Sequence, residues 1–398
     1  MDDSDSPDRG EPTDDEVIER LESVSHGAVV ATGSLSAQKT LLFLTNFALT
    51  QGLTAALYGV YAFGRRISGI LMLFGPLGGM AALVRYLPAA DSEARQRRVF
   101  GLACGTALVA SLTFGAVVFL LADAINAATL DHPTLPLVLR LFAVLVPFDV
   151  AIRLTSTVFR ALGKIEYHLA VTLILRPAAR LVGIVAAIAA GTGAVGVVAA
   201  FVVMTAVVAV LTAWLLVSRT PVRPSMGASR AEAREFINYA GPNALSKVGS
   251  LFQNRIDVLL VGFFLTAQAA GVYNLALFLM SILGVPLFAF NQLLPPIVSE
   301  LYSEGEVEMV NEVYGAVTRL IVTLTAPIAV ITFVYRVELL AVFGDAYTAG
   351  SLVLGVFVVG RIIGNSAGAT GWLLLMTDHQ YLHMLNFFKQ KTAYEIVG

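Results

Sequence analysis

Charge and cysteine are what this sequence has least of. Only 14% of its 398 residues are charged and 57% are hydrophobic, whereas soluble domains carry about 25% charged residues. The single cysteine, Cys104, excludes a disulfide framework and leaves no cysteine cluster for a metal. A chain this apolar would not stay in solution, so we predict a polytopic membrane protein.

Enzyme signatures are missing as well. The P-loop, HExxH and GxSxG motifs do not occur, and the five histidines are scattered. Gly191–Gly196 satisfies GxGxxG, but it joins two apolar stretches without the strand and helix that a dinucleotide site needs. We therefore predict no enzymatic activity, no cofactor, no metal site and no nucleic-acid binding.

The N-terminal segment has little basic or apolar character. Residues 1–22 hold ten acidic residues and only Arg9 and Arg20 as basic ones. This is the opposite of a signal peptide, which begins with positive charge and continues with an apolar run. We predict that residues 1–24 form a disordered, acidic cytoplasmic tail.

Long apolar runs fill most of the remaining chain. A membrane-spanning helix needs about 20 apolar residues. We place spans at 27–50, 57–86, 97–125, 135–160, 167–190, 194–218, 238–265, 270–299, 309–335 and 347–377, with an eleventh starting near 380. Prolines inside these runs predict kinks or broken turns; they are Pro76, Pro147, Pro177, Pro242, Pro286 and Pro327.

Two patterns predict the topology. Arginines concentrate in alternate connections between spans, which places the N-terminus in the cytoplasm. Residues 38–58 align without gaps to 253–273, an offset of 215 residues, which indicates two homologous halves. Six spans fit within that offset, so the halves would be parallel repeats. We predict an all-α protein with an N-lobe (25–218), a cytoplasmic linker (219–235) and a C-lobe (236–388).

The C-terminal segment does not fit a span. Lys389–Gly398 is polar and interrupts the eleventh predicted helix, and Lys389 to Glu395 is also the translation of a common sequencing adapter. Our hypothesis is that residues 389–398 are not native and that the C-lobe is truncated in its fifth span. A genomic read that continues through codon 398 in this frame would contradict it.

Basic residues outnumber acidic ones deep in the predicted spans. Ionisable groups at that depth usually face the bundle interior or a wet cavity. Ion pairing would need near parity, so we predict that water, backbone or an anionic ligand such as a polyprenyl pyrophosphate neutralises the surplus. The cavity candidates are Lys39, Arg65, Arg66, Arg176, Arg180, Lys247, Arg255 and Arg361, and the ion-pair or coupling candidates are Asp149, Arg153, Asp257 and Arg319.

Spacing limits how some of these residues can pair. Asp149 and Arg153 are one turn apart and can form a pair on one helix face, either as a structural lock or in coupling. Arg176 and Arg180 form a similar stripe, which either lines a cavity or pairs with Asp149.

Two other pairs cannot share a face. Arg255 and Asp257 are two residues apart, so each needs its own partner. Arg65 and Arg66 are adjacent, so one would point inward while the other pairs or extends toward the interface. For Arg319, Arg361, Lys39 and Lys247, cavity lining and inter-helix hydrogen bonding both stay open.

Five stretches carry a family resemblance: Tyr58–Gly59, Val84–Pro88 (VRYLP), Phe159–Leu169 (FRALGKIEYHL), Arg255–Ala276 and Glu338–Gly350. From about residue 25 to 388 the chain resembles the polysaccharide-transporter branch of the multidrug/oligosaccharidyl-lipid/polysaccharide exporter (MOP) superfamily. The resemblance implies a MATE-like fold of two six-helix lobes. It also implies that the protein flips lipid-linked oligosaccharides across the cytoplasmic membrane through a cavity between the lobes.

The expected substrate is an oligosaccharide on undecaprenyl or dolichyl phosphate or pyrophosphate, used for surface polysaccharide or glycoprotein synthesis. Membrane lipids and polysaccharide-assembly proteins are the expected partners. Two alternatives stay open. A cation-coupled multidrug exporter would need buried carboxylates, of which only Asp149 and Asp257 are candidates. A non-transporting membrane scaffold would apply if the surplus arginines faced lipid.

Overall fold

The structure is a computed structural model that describes residues 35–254, 256–303 and 306–368. The predicted acidic tail, the eleventh span, residues 389–398 and Arg255 lie outside the described residues. Within those residues the protein is built from α-helices and contains no β-strand. The predicted all-α class is therefore confirmed.

The N-terminal half, as we use the term, comprises α1 to α9. Helix α6 is its centre, packing against α2, α4 and α9. The helices are α1 (35–52), α2 (Ala55–Phe74), α3 (Gly79–Tyr86), α4 (Glu93–Leu120), α5 (Ala122–Ala128), α6 (Leu135–Ala161), α7 (Ile165–Leu169), α8 (Arg176–Ala189) and α9 (Gly193–Arg219), with a π-helical turn at Ala170–Leu175.

The C-terminal half comprises α10 to α16. In it α12 packs against α16, and α14 packs against both α13 and α16. The helices are α10 (Arg230–Asn254), α11 (Ile256–Phe264), α12 (Ala267–Ile282), α13 (Val285–Ser303), α14 (Val307–Val334), α15 (Arg336–Ala341) and α16 (Ser351–Ser366), with a 3-10 turn at Asp345–Gly350.

Among the described residues, six helices are long and apolar enough to cross a membrane. Helices α2 and α3, bent by 41° at their junction, would make a seventh span together. Large apolar side chains such as Trp214 and Leu120 lie on the outside, where hydrocarbon rather than water would cover them. The six are Glu93–Leu120, Leu135–Ala161, Ile165–Ala189, Gly193–Arg219, Val307–Val334 and Asp345–Ser366. The protein is a multi-pass membrane protein.

Two of the predicted spans are interrupted close to a proline. The run predicted at 57–86 is interrupted next to Pro76, where Gly78 adopts a left-handed conformation with φ +75°. The run predicted at 270–299 is interrupted just before Pro286. A proline removes one helical hydrogen bond and clashes with the preceding turn. Pro147 and Pro327, in contrast, lie inside continuous helices.

Helices α2 and α12 join the two halves with their backbones in contact. A Cβ atom on Gly59 would lie 1.7 Å from the carbonyl oxygen of Ala267, and one on Gly271 would lie 2.3 Å from that of Ala55. Each helix therefore presents a glycine to the first residue of the other. Glycine is needed here because any side chain would meet backbone.

This reciprocal contact corrects the predicted repeat register. Thr54 and Thr266 cap α2 and α12 in the same way, each accepting a hydrogen bond from the backbone N–H three residues later. The offset that relates these caps, and also Gly59 to Gly271, is 212 residues rather than 215. At this offset residues 54–61 (TAALYGVY) match residues 266–273 (TAQAAGVY), a correspondence that the predicted alignment missed.

Candidate functional site

Asp149 is the centre of the most charged region inside the N-terminal half. Its carboxylate is fully buried on α6 and accepts hydrogen bonds from two arginines. Arg153, one turn later on α6, donates from Nε to Oδ2 at 2.8 Å, and Arg176 on α8 donates to Oδ1. The two arginine side chains stay 34% and 21% exposed. The positively charged guanidinium groups are therefore partly exposed, whereas the carboxylate they bind is not.

Arg65 and Arg180 complete the region. Arg180 donates to the hydroxyl of Tyr61 at 2.6 Å. Arg65 lies near Met72 Sδ at 3.7 Å and within electrostatic range of Asp149 and Arg180. In the part of the chain that the structure describes, neither forms an ion pair with a carboxylate. We call Arg65, Arg153, Arg176 and Arg180, arranged around Asp149, the basic cluster.

A π-helical turn leads into Arg176. It spans Ala170–Leu175, directly before Arg176 and Pro177. The ring of Pro177 would clash with the carbonyl four residues earlier in a regular helix, and that carbonyl, on Leu173, lies within the widened turn. Wide turns of this kind are frequent at functional sites. Arg176, the first residue after this turn, is the one that binds Asp149.

The basic cluster carries a surplus of positive charge. It has four guanidinium groups and one carboxylate, and guanidinium groups stay charged even where they are partly buried. Arginine offers a fixed fork of donors that suits phosphate oxygens. A surplus of three positive charges is therefore suited to an anionic ligand and unsuited to a cationic one.

Arg66 points away from the basic cluster. Its guanidinium lies 3.9 Å from the carboxylate of Asp257, so it connects α2 with α11 in the other half. Arg65 and Arg66 thus diverge, as expected for neighbours about 100° apart around a helix.

Three other sequence candidates lie elsewhere. Arg361 on α16 covers the backbone at Gly284, where α12 gives way to α13. Arg319 is exposed on α14 and donates to the carbonyl of Gly315 in its own helix. Lys39 is exposed at the rim of a groove between α1 and α12. The side chain of Lys247, like Arg255, lies outside what the structure describes.

Sequence reasoning did not anticipate two aromatic residues. The ring of Phe201 on α9 lies under Arg180 at 5.0 Å and under Arg65 at 5.5 Å. The hydroxyl of Tyr58 donates to Asn46 Oδ1 at 2.9 Å and accepts from Asn274 Nδ2 at 2.8 Å, which connects the two halves. In the sequence Tyr58 stood out only through the resemblance at Tyr58–Gly59, which did not indicate these contacts, and Phe201 looks like an ordinary core aromatic.

A bundle of apolar helices with a polar, charged interior has the architecture of a membrane transporter. The model of the polysaccharide biosynthesis protein family matches residues 49–351, which is more than half of the chain. The chain belongs to that family.

One curated protein and two solved structures are similar to this chain. The teichuronic acid biosynthesis protein TuaB of Bacillus subtilis (strain 168) is 23% identical over 145 residues, which are 36% of this chain and 29% of TuaB. An inward-facing multidrug resistance MATE family transporter of the MOP superfamily has a TM-score of 0.63 at 17% identity, covering 87% of each chain. A MOP superfamily transporter from Pyrococcus furiosus has a TM-score of 0.56 at 15% identity, and the match covers 90% of this chain and 82% of the transporter chain. That transporter is described as having a binding pocket of reverse polarity. At such identities the structures show the fold, and the predicted MATE-like fold is confirmed.

Proposed function

We propose that this protein flips a lipid-linked oligosaccharide, carried on polyprenyl phosphate or pyrophosphate, across the cytoplasmic membrane by alternating access. The product would serve the synthesis of cell-surface polysaccharide or glycoprotein. The observation that carries the proposal is the surplus of three positive charges in the basic cluster. An uncompensated charge at membrane depth is costly, and an anionic substrate would neutralise the surplus positive charge.

The sign of this charge argues against cationic drugs as substrates. A cation-coupled exporter needs a buried carboxylate that is free to bind a proton, a metal ion or a drug. Asp149 is engaged by two arginines, and Asp257 lies beside Arg66. The solved multidrug transporters share the fold with this chain, and fold alone does not determine the substrate.

The groove beside Lys39 fits an amphiphilic substrate. It has a volume of about 260 Å³ and lies between the two halves, with Phe43 of α1 and Phe278 of α12 among its walls. An apolar wall suits a prenyl chain. The groove would bind the prenyl chain while the basic cluster binds the phosphorylated headgroup.

The proposal includes the predicted organisation of the chain. An N-lobe (25–218) and a C-lobe (236–388), joined by a cytoplasmic linker (219–235), would rock against each other. The N-terminus would be cytoplasmic, because the arginine-rich connections between spans belong on that side. Lipid-linked oligosaccharide, membrane lipids and polysaccharide-assembly proteins would be the partners.

Genetic complementation tests the function. Deleting the gene should cause an oligosaccharide-charged polyprenyl phosphate to accumulate on the cytoplasmic side of the membrane. Arg180→Gln should fail to restore export although the protein inserts normally, because this change leaves Asp149 with both of its arginines. Arg140→Gln, which removes an ion pair with Asp123 outside the basic cluster, should restore export. Normal surface glycans in a deletion strain without a second copy of the gene would contradict the proposal.

A further inference from the structure

We infer that Phe201 is a positioning residue that holds Arg65 and Arg180 ready for an anionic headgroup, an inference that rests on the proposed function. Phe201 lies on α9 and is 3% exposed. Both guanidinium groups lie over its ring within the 6 Å at which a cation and an aromatic face attract each other. One neutral side chain thus contacts two like charges.

Holding two like charges together requires an attractive group between or beside them. A carboxylate would attract both guanidinium groups, but it would also cancel one of their charges, as Asp149 does between Arg153 and Arg176. An aromatic face attracts cations through its quadrupole and carries no net charge. The ring of Phe201 therefore fixes the directions of Arg65 and Arg180 while their full charge stays available.

The free hydrogen-bonding capacity of Arg180 agrees with this assignment. One of its terminal nitrogens donates to Tyr61, whereas its Nε is buried and has no hydrogen-bond partner among the described residues. A buried donor without a partner is costly. An incoming phosphate oxygen beside Phe201 would satisfy it.

The ring itself is held by other aromatic residues. Phe142 meets Phe201 edge to face, with ring centroids 6.2 Å apart, and also contacts Tyr61 at 5.8 Å. Tyr61 in turn accepts the hydrogen bond from Arg180. Phe142 therefore belongs to the assembly that holds Phe201. Phe100 on α4 is as buried as Phe201, and no arginine of the described chain lies over its ring, so it is the matched control for loss of packing.

The experiment compares binding of farnesyl diphosphate and farnesol to the purified protein in detergent. Fluorinated phenylalanines at position 201 keep the shape of the ring and progressively weaken its negative face. We expect trifluorophenylalanine at 201 to weaken farnesyl diphosphate binding by about ten-fold, with smaller losses for mono- and difluoro rings. Farnesol binding and the melting temperature should stay unchanged. Phe201→Leu should reproduce the loss and Phe201→Tyr should not.

The same series at position 100 separates positioning from packing. Fluorination of Phe100 should leave diphosphate binding unchanged, because no cation of the described chain faces that ring. Equal effects at 201 and 100, or no effect at 201, would overturn the role of Phe201 while leaving the proposed function intact. A wild-type protein that binds farnesyl diphosphate no better than farnesol would instead refute the proposed function and this inference with it.

Discussion

Arg176 on α8 donates a hydrogen bond to the buried carboxylate of Asp149 on α6, 27 residues earlier in the chain. Arg153 binds the other oxygen of the same carboxylate. Asp149 therefore holds two helices together and supplies the only negative charge of the basic cluster. Removing the Asp149 carboxylate would leave the positive charges of the arginines around it without a partner. Removing one partner of a buried ion pair is strongly destabilising for this reason.

Replacing Asp149 should destabilise the protein. We expect Asp149→Asn to lower the free energy of unfolding by about 3 kcal/mol, the lower end for removing one partner of a buried pair. Unfolding by SDS titration in mixed micelles would measure it. Asp123→Asn, which removes a more exposed partner of Arg140, should cost less than about 1 kcal/mol. The double change Asp149→Asn with Arg176→Gln should cost less than the sum of the single changes, and strict additivity would contradict the pairing.

Replacing the crossing glycine should force the two halves apart. A Cβ at Gly59 would collide with the backbone carbonyl of Ala267, and backbone cannot move aside as a side chain can. Gly59→Ala should therefore lower the melting temperature of the purified protein in detergent. Gly105→Ala is the matched control, because nothing lies within 4 Å of its Cβ position, and it should leave the melting temperature unchanged. Equal melting temperatures for Gly59→Ala and the wild type would refute the close contact.

Removing one hydroxyl should weaken the same junction. Tyr58→Phe would leave Asn46 Oδ1 and Asn274 Nδ2 without their shared partner. Buried polar groups without partners cost about 1–3 kcal/mol, so the melting temperature should fall. Tyr335→Phe, at an exposed position, should leave the melting temperature unchanged. Equal melting temperatures for the two variants would show that the hydroxyl of Tyr58 contributes nothing.

The sequence predicted what depends on local patterns. Apolar runs located the long helices, and the spacing of Asp149 and Arg153 predicted their pairing along one face. It also left open whether Arg176 and Arg180 line a cavity or pair with Asp149; in the structure Arg176 binds Asp149 and Arg180 binds Tyr61.

Contacts between distant helices could not be read from the sequence. The sequence predicted a kink or broken turn at Pro177 but not its π-helical form. The role of Phe201 depends on three helices meeting, so it leaves no periodic signal. The repeat register is different, because residues 54–61 (TAALYGVY) and 266–273 (TAQAAGVY) match in the sequence at the offset that aligns the caps Thr54 and Thr266.

Acid should loosen the segment that precedes α10. The carboxylate of Glu232 accepts hydrogen bonds from the backbone N–H of Ser229 at 2.8 Å and from Arg98 of α4 at 3.0 Å, and these contacts lower the pKa of Glu232. The ionised carboxylate therefore stabilises this contact fully above its unfolded pKa of about 4.3. That stabilisation is lost as the pH falls through the lower folded value. Pepsin should cut the 219–235 segment faster at pH 2 than at pH 4, relative to a reference peptide.

A variant of Glu232 tests the same contact at neutral pH. Glu232→Gln keeps the shape of the side chain but removes its charge, so trypsin should cleave after Arg230 faster than in the wild type. Glu235→Gln loses only a 3.9 Å contact with Arg95 and should be cleaved at the wild-type rate. The two changes remove the same charge from the same helix. Equally fast cleavage of both variants would therefore show that the contact of Glu232 with Arg98 and Ser229 does not protect the segment.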